Sequence, residues 1–152
     1  IQSSRKRTYG IFWERNVNNL RTGVMGYTTQ TLVDSDFETI TKTTITGTNG
    51  TATKIIDVSA LAGAATDPRV SIVACTWSVS STTEIEWDAT SNVTCLTLNG
   101  NGSYNAGSQS LPSLANNAGS GITGDIFFEN DSACVGFIIL KCKKVSGFDN
   151  IT

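Results

Sequence analysis

The chain has 152 residues, 39% hydrophobic but only 16% charged, with a formal charge of −2 and no histidine. That length fits one domain with a sizeable core. The missing imidazole excludes Ser-His-Asp and Cys-His catalysis, His-ligated zinc sites and the commonest general base. Charge is scarce against the roughly 25% of an ordinary soluble domain. Thr, Ser, Asn and Gly take its place, a mixture that suits β-strands joined by polar turns.

Residues 1–34 are chemically distinct, holding Arg5, Lys6, Arg7, Arg15 and Arg21 against Glu14 and Asp34, while the remainder is net acidic. Tyr9, Ile11, Phe12, Trp13 and Leu20 make this stretch too apolar for a disordered tail, yet no period marks a strand or helix. It is therefore expected to be an extended arm that docks on its own domain, on a sister subunit or on a larger partner, with docking on a partner favoured over packing within the chain. Arg5, Lys6, Arg7, Arg15 and Arg21 would meet an acidic neighbour, and Phe12 and Trp13 would anchor in its pockets. A sequence pI near 5.0 opposes specific nucleic-acid binding by the whole chain. No apolar run approaches the roughly 20 residues that cross a bilayer, and no apolar signal core opens the chain, so no membrane partner is expected.

From Asp36 onward strand signals recur about every ten residues. Phe37–Ile45 comes first, followed by a turn at Gly47 and Asn49-Gly50 and a β-branched run at Lys54–Val58. Residues 60–68 read as loop. Val70–Val79 and Glu84–Asp88 both alternate, and the intervening Ser80-Ser81-Thr82-Thr83 predicts a hairpin between them. Ile85 and Trp87 are expected to face inward, with Glu84, Glu86 and Asp88 outward. Val93–Leu98 leads to a predicted turn at Asn99-Gly100-Asn101-Gly102, then a long loop over 103–123 that Leu111, Pro112 and Leu114 would pin to the core. Asp125–Glu129 and Ala133–Lys143 close the series; the second is apolar on both faces, as in a central strand covered on each side. The expected fold is all-β, a β-sandwich with the jelly roll as the favoured form, comprising an N-terminal arm (1–34), a sandwich domain (35–148) and a short tail (149–152).

Few constellations offer chemistry. Glu84, Glu86 and Asp88 fall on one strand face about 6.6 Å apart, within reach of a shared Ca²⁺ or of paired-carboxylate chemistry. A wet acidic row that discourages strand aggregation is the blander reading, so no metal is expected. The glycines at 99–102 and 119–124 read as turns, because no helix follows to face a phosphate. Cys75, Cys95, Cys134 and Cys142 form no C-x-x-C pair. Were Cys134 and Cys142 on one strand, eight steps of about 3.3 Å would hold them about 26 Å apart, too far to bridge. All four are read as buried reduced thiols, consistent with folding in a cytoplasm. No nucleophile–base pair is legible, so neither an enzyme nor a cofactor is expected.

Four segments carry a resemblance. They are Ile56-Asp57-Val58-Ser59-Ala60-Leu61-Ala62-Gly63, Glu84-Ile85-Glu86-Trp87-Asp88-Ala89-Thr90, Leu96-Thr97-Leu98-Asn99-Gly100-Asn101-Gly102, and Asn116-Asn117-Ala118-Gly119-Ser120-Gly121-Ile122-Thr123-Gly124-Asp125-Ile126. With the closing apolar strand that ends in lysines, this order resembles small virion structural proteins of tailed phages, notably those of marine cyanobacteria. The likeness spans roughly residues 50–145. It implies a virion component, assembled in the host cytoplasm. Within that class, a capsid decoration or cement protein bound to the major capsid protein is favoured, as a homo-oligomer with a trimer among its forms. A tail, neck or fibre-attachment component is the nearest alternative. A host-glycan-binding sandwich using Trp77 and Trp87 is a third, weakened by the core-facing positions of both rings.

Overall fold

A computed structural model describes residues 26–107 and 110–151. Seven strands build it: β1 (Tyr27–Asp34), β2 (Glu38–Ile45), β3 (Asn49–Ile56), β4 (Ala64–Trp87), β5 (Val93–Tyr104), β6 (Ile126–Asn130) and β7 (Gly136–Phe148). A 3-10 turn at Val58–Ala60 follows β3, capped by the Asp57 carboxylate, which accepts the Ser59 N–H. The protein is all-β, as its composition predicts. Every pairing is antiparallel within one sheet of order β1-β2-β7-β4-β6-β3, and β5 lies along the other edge of β4. The sheet curls. Tyr27 at the start of β1 meets Phe128 of β6 edge to face, with ring centroids 5.4 Å apart.

β4 organises the whole. Its 24 residues pair with β7 from Ala64 to Val79 and with β6 from Glu84 to Trp87, while β5 follows its opposite edge from Cys75 to Trp87. The hairpin expected between Val70–Val79 and Glu84–Asp88 is thus corrected: both belong to one strand. Ser80–Thr83 is a register shift rather than a turn. There β4 changes neighbours, and its serines hold the chain that passes between them. Ser80 N–H donates to the Val135 carbonyl (3.1 Å), the Ser80 hydroxyl accepts the Val135 N–H (2.9 Å), and the Ser81 hydroxyl donates to the Ala133 carbonyl (3.2 Å). The true hairpin joins β4 to β5 through residues 88–92. Asn99–Gly102, expected as a turn, lies inside β5 opposite the shift, with Gly100 in the left-handed region at φ 60°.

Two further expectations move. Residues 60–68 are not all loop, because β4 starts at Ala64. The arm expected over 1–34 also loses its last stretch, since Tyr27–Asp34 pairs with β2 as an edge strand of the sheet. At the other end, the expected tail is tied down: Asp149 N–H donates to Gly63 O (2.8 Å) and Ile151 N–H to Phe148 O (3.0 Å). In the loop after β5, Leu114 does anchor to the core through a two-way backbone bridge with Ile72, whereas Leu111 is 52% exposed.

The core gathers Ile45, Ile72, Ile85, Trp87, Leu98, Ile126, Phe128 and Ile138, all at 0% exposure. β2 contributes a buried row of Thr39, Thr41, Thr43 and Ile45, the period-2 pattern of a half-buried strand. Where β3 and β6 meet, buried Asn130 closes three contacts. Its Oδ1 accepts from Asn49 Nδ2 (3.0 Å), and its Nδ2 donates to the carbonyls of Gly47 (2.9 Å) and Ser132 (2.8 Å). Asn130→Leu keeps the branched shape but strips the buried donor from two carbonyls and the acceptor from Asn49. The expected loss is about 3 kcal/mol in urea denaturation; a loss under about 1 kcal/mol would show the network to be dispensable.

Candidate functional site

The acidic row is only partly as expected. Glu84 and Glu86 share a face of β4, but Asp88 lies beyond the end of the strand, where its carboxylate accepts the Thr123 hydroxyl (2.6 Å) and closes a loop. The third member of the cluster is Glu129 of β6, directly opposite Glu84 in the ladder. One carboxylate oxygen from each of Glu84, Glu86 and Glu129 lies within 4.8 Å of the other two. Alternation along β6 places Glu129 on the face of Phe127. Its meeting with Glu84 depends on a register between segments 45 residues apart in the chain, which no local pattern reveals.

Glu86 also departs from expectation. A wet face on an edge hairpin would expose it, yet it is only 7% exposed, because β4 runs here between β5 and β6. Its Oε2 is buried without a hydrogen-bond partner. Burial pushes its carboxyl above the usual carboxylate range and the charge of Glu84 adds to this, against the pull of a hydrogen bond from Asn92. Glu129 is raised as well, first by burial and then by the charge of Glu86. The ion pairs among the described residues all lie elsewhere. Lys54 reaches Asp125 (3.0 Å) and Asp57 (3.9 Å), Lys141 reaches Glu38 (3.6 Å), and Lys144 reaches Asp34 (2.8 Å). The three glutamates are thus an uncompensated cluster. Beside them opens a polar pocket of about 480 Å³, lined by Glu84, Glu129, Asp131, Asn99 and Ser80–Thr82.

No family model, curated protein or solved structure matches the chain.

A second surface lies on the outer face of β2, β7 and β4. The register aligns Ile40 with Lys141, and Lys42 with Ile139 and Thr76. Phe137 aligns with Thr44 and Ser78. β7 is central, as its apolar run predicts, but it is covered on one side only. Ile138, Leu140 and Cys142 are at most 1% exposed, while Phe137 and Ile139 stay half-buried on the open side. Nearby, Phe37 is 63% and Val135 68% exposed. Ile40, Val73, Ile139, Lys141 and Asn105 line a shallow cavity of about 390 Å³ on this face.

The remaining candidates are quieter. Arg5, Lys6, Arg7, Phe12, Trp13, Arg15 and Arg21 lie outside the described residues. Trp87 is fully buried and offers no ring face to a sugar. Trp77 is half-buried against Gly102, its indole N–H donating to Asn99 O (3.3 Å). All four cysteines are free, with Cys75, Cys134 and Cys142 buried and Cys95 half-buried. Burial pushes the Cys75 and Cys95 thiols up to about 12 and Cys142 higher still, which keeps these sulfurs protonated and inert.

Proposed function

We propose that the chain is a structural component of a tailed-phage virion, most specifically a capsid decoration or cement protein. Its curled sheet would serve as the sandwich-like body, and residues 1–25 would lead onto the shell. The observation that carries this reading is the position of β1. It pairs with β2 along one edge only, Thr28–Leu32 are exposed, and the basic, aromatic segment joins the sheet at its start. An open strand edge accepts a neighbour's backbone by strand addition, and anchors such as Phe12 and Trp13 add side-chain specificity. The resemblance over residues 50–145 points to the same class. Repetition over many shell sites lets a modest contact per copy hold firmly.

Location tests the reading. Electron cryo-microscopy of particles containing this chain is expected to show its density at many equivalent shell positions. Density confined to neck, tail or fibres moves the chain to that component, and absence from the particle discards the virion reading. The arm is tested by deletion, with its boundary set by β1: removing residues 1–25 keeps Asp34, the ion-pair partner of Lys144. This variant is expected to fold and to lose at least about tenfold in capsid affinity. Full occupancy after the deletion would end the arm's assigned role.

A further inference from the structure

We propose that Glu84, Glu86 and Glu129 form a calcium site that ties β4 to β6, an inference independent of the virion reading. Calcium binds oxygen ligands at about 2.3–2.6 Å, so two of its ligands on opposite sides of the ion lie about 5 Å apart. Three carboxylate oxygens mutually within 4.8 Å therefore fit around one ion without rebuilding either strand.

A second observation points the same way. The Oε2 of Glu86, a residue 93% withdrawn from solvent at 7% exposure, has no partner, and its carboxylate belongs to the cluster. A buried carboxylate oxygen left without a partner is costly, and no lysine or arginine of the described residues forms an ion pair with any of the three. A bound cation supplies the missing charge: three carboxylates and one divalent ion leave a net charge of −1.

The donors select the ion. They are all carboxylate oxygens, with no imidazole or thiolate among them, which suits a hard cation over zinc or copper. Magnesium demands near-ideal octahedral geometry at about 2.0–2.1 Å and keeps most of its water. Calcium tolerates the irregular spacing imposed by two strand backbones. The adjoining polar pocket, with Asp131 and Ser80–Thr82 on its wall, gives room for the waters that complete its shell.

The test uses the full chain, stripped with chelator and titrated with calcium chloride in calorimetry and thermal melting. The expected result is one ion per chain, with a melting temperature raised by roughly 5–10 °C once calcium exceeds its dissociation constant about 100-fold. Glu86→Gln should abolish binding and, without calcium, melt no lower than the parent, because one of three clustered like charges is gone. Glu129→Gln, at a half-exposed position that tolerates change, should weaken binding at least about tenfold, and it decides the matter if Glu86→Gln does not fold. No response of the parent to millimolar calcium overturns the proposal and leaves shared protons as the means of compensation. An equal response in Glu86→Gln also overturns it, by placing the ion elsewhere. An equal response to magnesium overturns the choice of calcium.

Discussion

Replacing Lys144 with methionine is expected to cost the fold about 3–5 kcal/mol, one of the largest losses available to a single substitution here. The Lys144 side chain is 0% exposed, and its ammonium has three donors and three acceptors. It donates to Asp34 Oδ1 (2.8 Å), to the Ala62 carbonyl (2.7 Å) and to the Ser35 carbonyl, and it lies 5.0 Å from the Phe148 ring centroid. Asp34 in turn accepts the Ala62 N–H through its other oxygen (2.8 Å). One cation thus fastens the β1–β2 turn and the loop before β4 onto β7. Methionine retains the packing of the stem while stranding a partly buried carboxylate and two carbonyls. Equilibrium urea denaturation measures the loss. Hydrogen exchange should find β1 opening first, since Asp34 is its last residue. A loss below about 1 kcal/mol would mean that water replaces the ammonium without penalty.

Gly147→Ala is expected to lower the melting temperature by roughly 6–12 °C, equivalent to about 3 kcal/mol. Gly147 has φ +78°, and a Cβ there would stand 2.5 Å from the carbonyl oxygens of both Thr66 and Asp67. Those residues belong to the stretch of β4 between Ala64 and Arg69 that bulges against β7. Neither obstacle is a flexible side-chain tip, so backbone must move. Gly100→Ala isolates the conformational part, because Gly100 also has positive φ (+60°) but nothing within 4 Å of the added carbon. Its cost should be about 1–2 kcal/mol. Equal melting temperatures for the two variants would show that the close approach at Gly147 contributes nothing.

The strands that were legible in the sequence are those with one wet and one dry face, or with a dense apolar run. β2, the Val70–Val79 and Glu84–Trp87 parts of β4, β6 and β7 all carry such patterns, and the β-branched run in β3 and Val93–Leu98 in β5 were legible as well. β1 was hidden because an edge strand exposed over Thr28–Leu32 has no apolar alternation to display. The unity of β4 was hidden for a different reason. Ser80–Thr83 is polar because its hydroxyls and amides serve Ala133 and Val135, partners more than 50 residues away, and polarity without a visible partner looks like a turn. The same blindness to distant register left Glu129 out of the acidic cluster and admitted Asp88. Facing direction along a strand is local information, so the alternation alone sets Glu84 and Glu86 on a common face. Burial is not local, and Glu86 became a buried acid because two strands that come later in the chain enclose it.

The order of synthesis has a bearing on β4. Every strand that pairs with it lies later in the chain, and Cys75, for example, waits for Tyr104 on one side and Leu140 on the other. β3 likewise waits for β6, and the inner edge of β2 waits for β7. Of β1 to β4, only the β1–β2 hairpin can close at once. Topologies dominated by such distant pairings fold in milliseconds to seconds rather than microseconds. Until residue 148 is made, the nascent chain carries a 24-residue strand whose edges cannot be completed. A product cut short before β7 therefore presents an open template for self-association, and belongs to the aggregated fraction of the cell rather than to a partly working pool.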